Sequence, residues 1–329
     1  MYNLGIGIKF FGNESNKKNQ INKIELLKKN INNFKIFLVI AGTNTSQIPG
    51  ISAAGINAKS RRMTALADAE FLLKGASKDY KYKLPLLNAG VTPALISHVC
   101  AKLININPII IPLGLGVKPY FNHLVVEDRD LGPSNCLTTG KSMPKERVLN
   151  LYKRGLSIGK SLKQPILISE SVPGGTTTAQ AVMEAFGLSV SNLVGSSLFK
   201  VPRELRRKVI QKGLLNANLK TNFDSFDVIS SVGDPFQAFS MGLLIGARLV
   251  NQPVILSGGS QMLAVILLVL EFLDAKNKDD FFEEVFIATT GWLVKDNSLS
   301  CLLNLINEKY GVKLLGLASP LNFKSSKYK

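Results

Sequence analysis

The chain has 329 residues, 46% hydrophobic and 19% charged, with 40 Lys+Arg against 23 Asp+Glu for a formal charge of +17. Apolar content at this level excludes global disorder and leaves room for one large α/β domain or two domains. The charge favours anionic partners, whether phosphates, nucleic acid or acidic lipid headgroups. The basic residues are scattered, however, with short clusters only at Lys28-Lys29, Arg61-Arg62 and Arg203 to Lys208. A Lys- and Asn-biased surface with no specific polyanion therefore stays open beside a functional basic face.

In chain order, Met1 to Gly12 shows no basic stretch followed by an apolar one, so no secretory signal is read. Residues 13–35 are polar, with Ile21, Ile24, Leu27 and Ile31 at helical spacing, and predict an amphipathic helix. Ile36 to Ala41 is a β-branched run that ends in Gly42-Thr43-Asn44-Thr45. The same grammar recurs at Leu84 to Leu87 before Asn88-Ala89-Gly90, and at Ile109 to Ile111 before Pro112 and Gly114. It returns at Pro165 to Ile168 before Ser169-Glu170, and at Asp227 to Ile229 before Ser230 to Asp234. Val254 to Leu256 before Ser257-Gly258-Gly259, and Val285 to Ala288 before Thr289-Thr290-Gly291, complete the series.

Continuous apolar strands followed by polar loops and helix-like segments imply a mostly parallel sheet with flanking helices, a Rossmann-like α/β fold. In such sheets ligands bind outside the carboxyl ends of the strands, so these loops are the candidate site. Residues 117–160 break the rhythm as an ordered excursion containing His123, Gly132 and Gly140, before a helix-like stretch from Glu146 to Lys160. Met262 to Leu270 is the longest apolar run; it falls short of the roughly 20 residues needed to cross a bilayer and reads as a buried helix. Cys100, Cys136 and Cys301 are far apart with no C-x-x-C, which indicates neither a disulfide framework nor a zinc site. A soluble, cytoplasmic protein is expected, with no membrane partner.

The sharpest segment runs from Ile166 to Phe186 as strand, turn and helix. Gly174 and Gly175 permit close backbone approach to a ligand. Thr176, Thr177 and Thr178 then open a helix whose free N–H groups and dipole favour an anion, a ready-made phosphate site. No Lys follows the glycines, so this is not a Walker A loop; a Thr cap after a tight turn is the plainer alternative. Glu170 at the strand end is placed to accept a proton or oppose a developing cation, or else is a surface carboxylate or helix partner. For Asp234 a helix N-cap is the stronger reading. Ser257-Gly258-Gly259-Ser260 either packs on a ligand's sugar or base or is simply a turn. His98 reads as structural, His123 has no metal-ligand pattern around it, and Trp292 reads as a core aromatic sooner than a base-stacking one.

Glu170-Ser-Val-Pro-Gly-Gly-Thr-Thr-Thr-Ala179 resembles the glutamate–glycine–threonine loop of the nicotinate-nucleotide:dimethylbenzimidazole phosphoribosyltransferase family, most closely its archaeal and cyanobacterial branch. Ala41 to Thr45 with Pro49 to Ser52, Asn88 to Val91, Gly132 to Asn135 with Gly140 to Met143, and Val232 to Phe239 with Val254 to Gly259 resemble its other loops in the same order. The match covers nearly the whole chain.

The resemblance implies one large α/β domain over 1–329, with 13–35 as a helical segment of a smaller part. It implies a homodimer that needs no metal or other cofactor and moves phosphoribose from nicotinate mononucleotide to a base, releasing nicotinate. Gly174 to Thr178 would hold the ribose 5′-phosphate and Glu170 would sit at the reacting centre. Thr43, Asn44, Asn88, Gly90, Ser134, Asn135, Asp234, Ser257 and Gly258 would line the substrate site. Family members continue past the segment like Ser319 to Ser325 with a Gly-rich stretch carrying a glutamate, so the chain reads as C-terminally truncated relative to the family. Ser257 stands where bacterial members carry an aspartate, which leaves the acceptor base open. The competing expectations are a non-catalytic nucleotide- or base-binding protein and, last, a nucleic-acid binder. The latter would lose affinity steeply with salt and is supported by no recognised module.

Overall fold

Short apolar runs flanked by Gly, Ser and Thr become seven strands of one sheet: β1 (Lys9–Gly12), β2 (Lys35–Ala41), β3 (Ile109–Leu113), β4 (Ile166–Ser171), β5 (Val254–Ser257), β6 (Val285–Thr290) and β7 (Leu315–Ser319). This is seen in a computed structural model that describes residues 8–12, 17–29, 31–84, 92–195, 201–274, 278–295 and 297–321. The strand order is β1-β7-β6-β5-β4-β2-β3. All neighbours are parallel except the edge pair β1 and β7. Eleven helices are described: α1 (Lys17–Lys29), α2 (Ala58–Lys74), α3 (Ala94–Leu103), α4 (Lys145–Lys160), α5 (Gly175–Ala185), α6 (Arg203–Ala217), α7 (Ser225–Val232), α8 (Pro235–Leu249), α9 (Ser260–Phe272), α10 (Lys278–Phe282) and α11 (Ser298–Tyr310).

The winding of the chain reverses between β2 and β4. From β2 the chain passes through α2 and α3 to β3 at one edge; from β4 it passes through α5 to α8 to reach β5 on the other side. Side chains alternate across the sheet. Leu38, Ile40 and Ile110 therefore pack with α2 residues such as Ala65, Leu66 and Ala69 on one face. Val39, Ala41, Ile166 and Ile168 pack with α5, α8 and α9 on the other. The expected buried helix is α9, in which every residue from Met262 to Leu270 is fully buried.

α8 lies between the sheet and α4, with residues Pro235 to Ala247 all buried. Its contact with α4 is backbone on backbone. A Cβ on Gly242 would stand 2.0 Å from the Tyr152 carbonyl oxygen, and one on Gly155 2.2 Å from that of Phe239. Gly246 and Gly159 meet one turn further along, where added Cβ atoms would lie 2.4 Å from Leu156 O and 2.6 Å from Ala247 N. Both helices thus carry glycines four residues apart on the facing side, and no side chain separates them.

One expectation needs correction. Asp227 to Ile229 is not a strand but part of α7, because Asp224 and Asp227 form a reciprocal capping box that starts a helix there. Asp234 therefore follows a helix rather than a strand end. β1 and β7 were not anticipated, since Lys9-Phe-Phe-Gly12 and Leu315-Gly-Leu-Ala-Ser319 lack a clean apolar run. The amphipathic helix expected over 13–35 is seen as α1 and a single 3-10 turn at Ile31–Asn33. The strand expected at 84–87 lies outside the described residues beyond Leu84, as do Asn88 and Gly90.

Gly242→Ala is expected to destabilise the protein by about 2–3 kcal/mol, because the helices must separate or shift to admit one methyl. Gly195→Ala, where an added Cβ meets nothing within 4 Å, is expected to change stability by no more than about 0.5 kcal/mol. Urea unfolding of both variants reads the contrast; equal midpoints would remove the helix contact as a determinant of stability.

Candidate active site at the reversal of the sheet

The reversal falls at the carboxyl ends of β2 and β4, the place where open α/β sheets bind ligands. Two loops meet there. After β2, Thr43 caps a 3-10 turn over Asn44–Gln47 by accepting from the N–H of Thr45 at 3.2 Å. Residue 134 pairs in parallel with Thr43, replacing β3 beyond Leu113: Ser134 N–H donates to Gly42 O at 3.0 Å and Asn44 N–H donates to Ser134 O at 2.8 Å. After β4, Gly174 takes φ +86° and approaches the first loop so closely that a Cβ would lie 2.9 Å from Ser46 N. Arg61, buried in the first turn of α2, braces the first loop by donating to the carbonyls of Ser46 at 2.5 Å, Gly55 at 3.1 Å and Gln47 at 3.1 Å.

Consecutive residues at the end of β4 project to opposite faces. Glu170, in register with Val39, faces the α8 side; Ser171, in register with Ile40, faces α2. On the α8 side lies Asp234, fully buried, which accepts from Thr178 Oγ1 at 2.5 Å, Gln261 Nε2 at 2.8 Å and Gln237 N at 3.2 Å. Gln237 in turn donates to Gln261 Oε1 at 2.9 Å and accepts from Asp234 N–H at 3.1 Å. On the α2 side lies Asp68, which accepts from Ser171 Oγ at 2.9 Å and Thr92 Oγ1 at 3.0 Å.

The three carboxyl groups feel one another. Burial pushes Glu170 up to about 7; the charge of Asp234 adds to this, a hydrogen bond from Val172 N–H opposes it, and Asp68 adds further. Burial also raises Asp68 and Asp234; hydroxyl donors oppose this at Asp68, and hydroxyl, amide and backbone donors oppose it at Asp234. Among the described residues none of the three has a Lys or Arg ion-pair partner. Among the described residues no group of His, Cys, Asp or Glu is arranged to hold a metal ion.

Thr43, Asn44, Ser134, Glu170, Gly174, Gly175, Thr176, Asp234, Ser257 and Gly258 all come to the carboxyl-terminal edge of the sheet. They are not equally available. Asp234 is the N-cap of α8 in a reciprocal capping box, as the stronger sequence reading had it. Thr178 Oγ1 is committed to Gly175 O and Asp234. Thr177 is buried with its hydroxyl unpartnered, as is Ser134. The side chain of Asn135 donates to Lys141 O at 3.0 Å and closes its own loop. Ser257 ends β5, and Gly258 N–H donates to Ala288 O at 2.9 Å. Trp292 is exposed and not a core residue.

Asp68 and Gln261 escaped the sequence reading. The available signal for Asp68 was a charge inside the apolar stretch Leu66-Ala-Asp-Ala-Glu-Phe71 of a helix buried on most sides. A wider groove of about 1300 Å³ runs between α4 and residues 112–131, with the Arg147–Glu127 ion pair in its wall. None of the expected site residues lines it.

A sequence model described as phosphoribosyltransferase matches residues 49–276, a span that includes Asp68, Ser134, the β4–α5 loop, Asp234 and Ser257. The chain belongs to this phosphoribosyltransferase family. A UPF0284 protein of Prochlorococcus marinus strain MIT 9215 is 87% identical over 329 residues, all of this chain and 86% of the relative. Another from Crocosphaera subtropica is 35% identical over 302 residues, 89% of this chain and 80% of the relative. The fold is shared with CobT from Thermus thermophilus, at TM-score 0.63 and 16% identity over 89% of this chain and 77% of the other. A second solved structure, the nicotinate-nucleotide-dimethylbenzimidazole phosphoribosyltransferase of the same organism, aligns at TM-score 0.61 and 17% identity over 88% of this chain and 76% of the other. The chain is thus a phosphoribosyltransferase by family, with the architecture of these enzymes.

Asp234→Ala removes an N-cap and strands the buried donor Gln261 Nε2, while Thr178 Oγ1 keeps Gly175 O. It is expected to cost about 3 kcal/mol. A chemical denaturation midpoint within error of the parent would show that Asp234 does not organise this end of α8.

Proposed function

We propose that the chain transfers the phosphoribosyl group of nicotinate mononucleotide to a ring nitrogen of a benzimidazole-like or purine base, releasing nicotinate, in assembly of the lower ligand of cobalamin. Family membership supports the transfer, and the shared fold with CobT supports the donor and acceptor class. The observation that carries the reading is Glu170. It is a carboxyl group with a pKa of about 7, one turn of chain from the amino end of α5 and at the point where the sheet reverses. A general base works best when its pKa lies near the operating pH.

The step balances as follows. The bond between ribose C1′ and the pyridinium nitrogen breaks, and its electron pair leaves with nicotinate as a neutral pyridine. The lone pair of the acceptor nitrogen forms the new C1′–N bond, and the proton on the acceptor ring passes to ionised Glu170. The 5′-phosphate lies against the amino end of α5. There the helix dipole favours the anion, while Gly174 and Gly175 let the loop pack directly on Ser46 and Gln261. Thr178 holds the loop in place, because its hydroxyl serves Asp234 and its N–H donates to Gly174 O.

A cytoplasmic homodimer accords with this reading, as does placing residues 13–35 in the smaller helical part. The three free cysteines support the reducing compartment. Among the described residues no helix is long and apolar enough to cross a membrane.

The test mixes purified protein with nicotinate mononucleotide and a panel of bases that includes dimethylbenzimidazole and adenine, with products read by chromatography and mass spectrometry. Nicotinate with a new base–ribose phosphate is expected. Binding of the mononucleotide without product would favour a nucleotide-binding role instead. Glu170→Gln is expected to lower turnover about 100-fold or more while leaving donor binding largely intact. In the parent, kcat/KM should rise with pH through about 7 as Glu170 ionises, and this limb should vanish in Glu170→Gln. A rate indifferent to both would remove Glu170 from the chemistry.

A further inference from the structure

In a chain of net charge +17, the reversal of the sheet gathers Asp68, Glu170 and Asp234 with no cationic partner among the described residues. Arg61, seven residues before Asp68 and hence roughly 10 Å away along α2, spends its guanidinium on three backbone carbonyls. Glu170 and Asp68 flank the end of β4 from opposite faces, because Glu170 and Ser171 alternate across the strand and Ser171 holds Asp68. A ligand lying over the end of β4 therefore has a carboxylate on each side. Each oxygen of Asp68 receives one hydroxyl, from Ser171 or Thr92. Since each carboxylate oxygen has two lone-pair directions, one acceptor position on each remains open. The hydroxyls of Ser134, beside Thr43, and of Thr177, in the first turn of α5, are buried to 1% exposure and have no partner. Each is a buried hydroxyl whose hydrogen-bonding the chain itself leaves incomplete.

We infer that Asp68 is a specificity-determining residue of the phosphoribosyl site, an anchored anion that selects a donor carrying positive charge on its glycosyl nitrogen. The inference rests on the phosphoribosyl reading above. It divides the site by charge: the phosphate of the donor meets the amino end of α5, and its ring cation meets carboxylate. A hydroxyl-anchored carboxylate can do this without the desolvation and side-chain ordering that a competing Lys or Arg would bring. The division of labour also separates the two acids. Asp68 faces the ring cation, and Glu170 exchanges the proton.

The experiment is calorimetric titration of the full chain with three probes: nicotinate mononucleotide, its 1,4-dihydropyridine form, which has a neutral ring nitrogen in nearly the same shape, and ribose 5-phosphate. The parent is expected to bind the pyridinium form about tenfold or more tighter than the dihydro form, as one unscreened charge contact at a half-buried site would give. Asp68→Asn, which keeps shape and hydrogen bonding, is expected to erase that preference while ribose 5-phosphate binds as before. A purely structural role for Asp68 would weaken all three probes together. Equal binding of the two mononucleotide forms by the parent overturns the inference whether or not the variant folds. Loss of the phosphate probe together with the charge preference in Asp68→Asn overturns it also. If the parent binds none of the three, the phosphoribosyl reading fails and this inference with it. If the parent makes product but shows no preference, only the role of Asp68 falls.

Discussion

The glycine contact between α4 and α8 sets the position of everything on one side of the site. Gly155 and Gly159 meet Gly242 and Gly246 with backbone against backbone, so the separation and register of the two helices leave no freedom to side chains. α8 is thereby held flat between α4 and the sheet, and its first residue arrives beside the end of β4. The N-cap Asp234 is then not only a helix signal. Its second oxygen reaches Thr178 of α5 and Gln261 of α9, tying the amino ends of three helices into one polar knot under Glu170.

Charge is handled in this knot by hydroxyls and amides. Thr178, Gln261, Ser171 and Thr92 hold the carboxylates that a Lys or Arg would hold in a structural ion pair. The contrast within α2 is instructive. Two residues after Asp68, buried Glu70 takes an ammonium group, a phenol and two backbone N–H groups, from Lys74, Tyr120, Lys81 and Tyr82. Burial works against its charge, yet those donors together hold it below the usual carboxylate range. Asp68, given neutral hydroxyls only, goes the other way. One helix thus carries a saturated acid that pins its outer flank and an unsaturated one beside the end of β4.

Much of this was legible in the residues. The runs at 36–41, 109–111, 165–168, 254–256 and 285–288 are strands because continuous β-branched and apolar residues suit burial on both faces. The Gly/Ser/Thr loops after them do converge on one edge. Asp227 to Ile229 misled because a three-residue window cannot tell a strand from a helix turn; the deciding signal was Asp224 and Asp227 at capping-box spacing. β1 and β7 are short, contain glycine and gain stability from pairing at the far edge, which no local pattern announces. The β4–α5 loop was legible as a candidate site, but the electrostatics around it were not. The raised pKa of Glu170 depends in part on Asp234 and Asp68, residues 64 and 102 positions away along the chain. The commitment of Thr178 to Asp234 is likewise visible only once α5 and α8 are packed.

The glycine seam has a mechanical consequence. A contact made of backbone atoms has no rotamers to exchange and almost no compressible volume, so it transmits force as a rigid strut. The side of the reversal built from α5, α8 and α9 is stiff for that reason. The side built from α2 rests on side-chain packing and on a loop braced by a single arginine. The α8 side of the reversal is therefore expected to be less compliant than the α2 side.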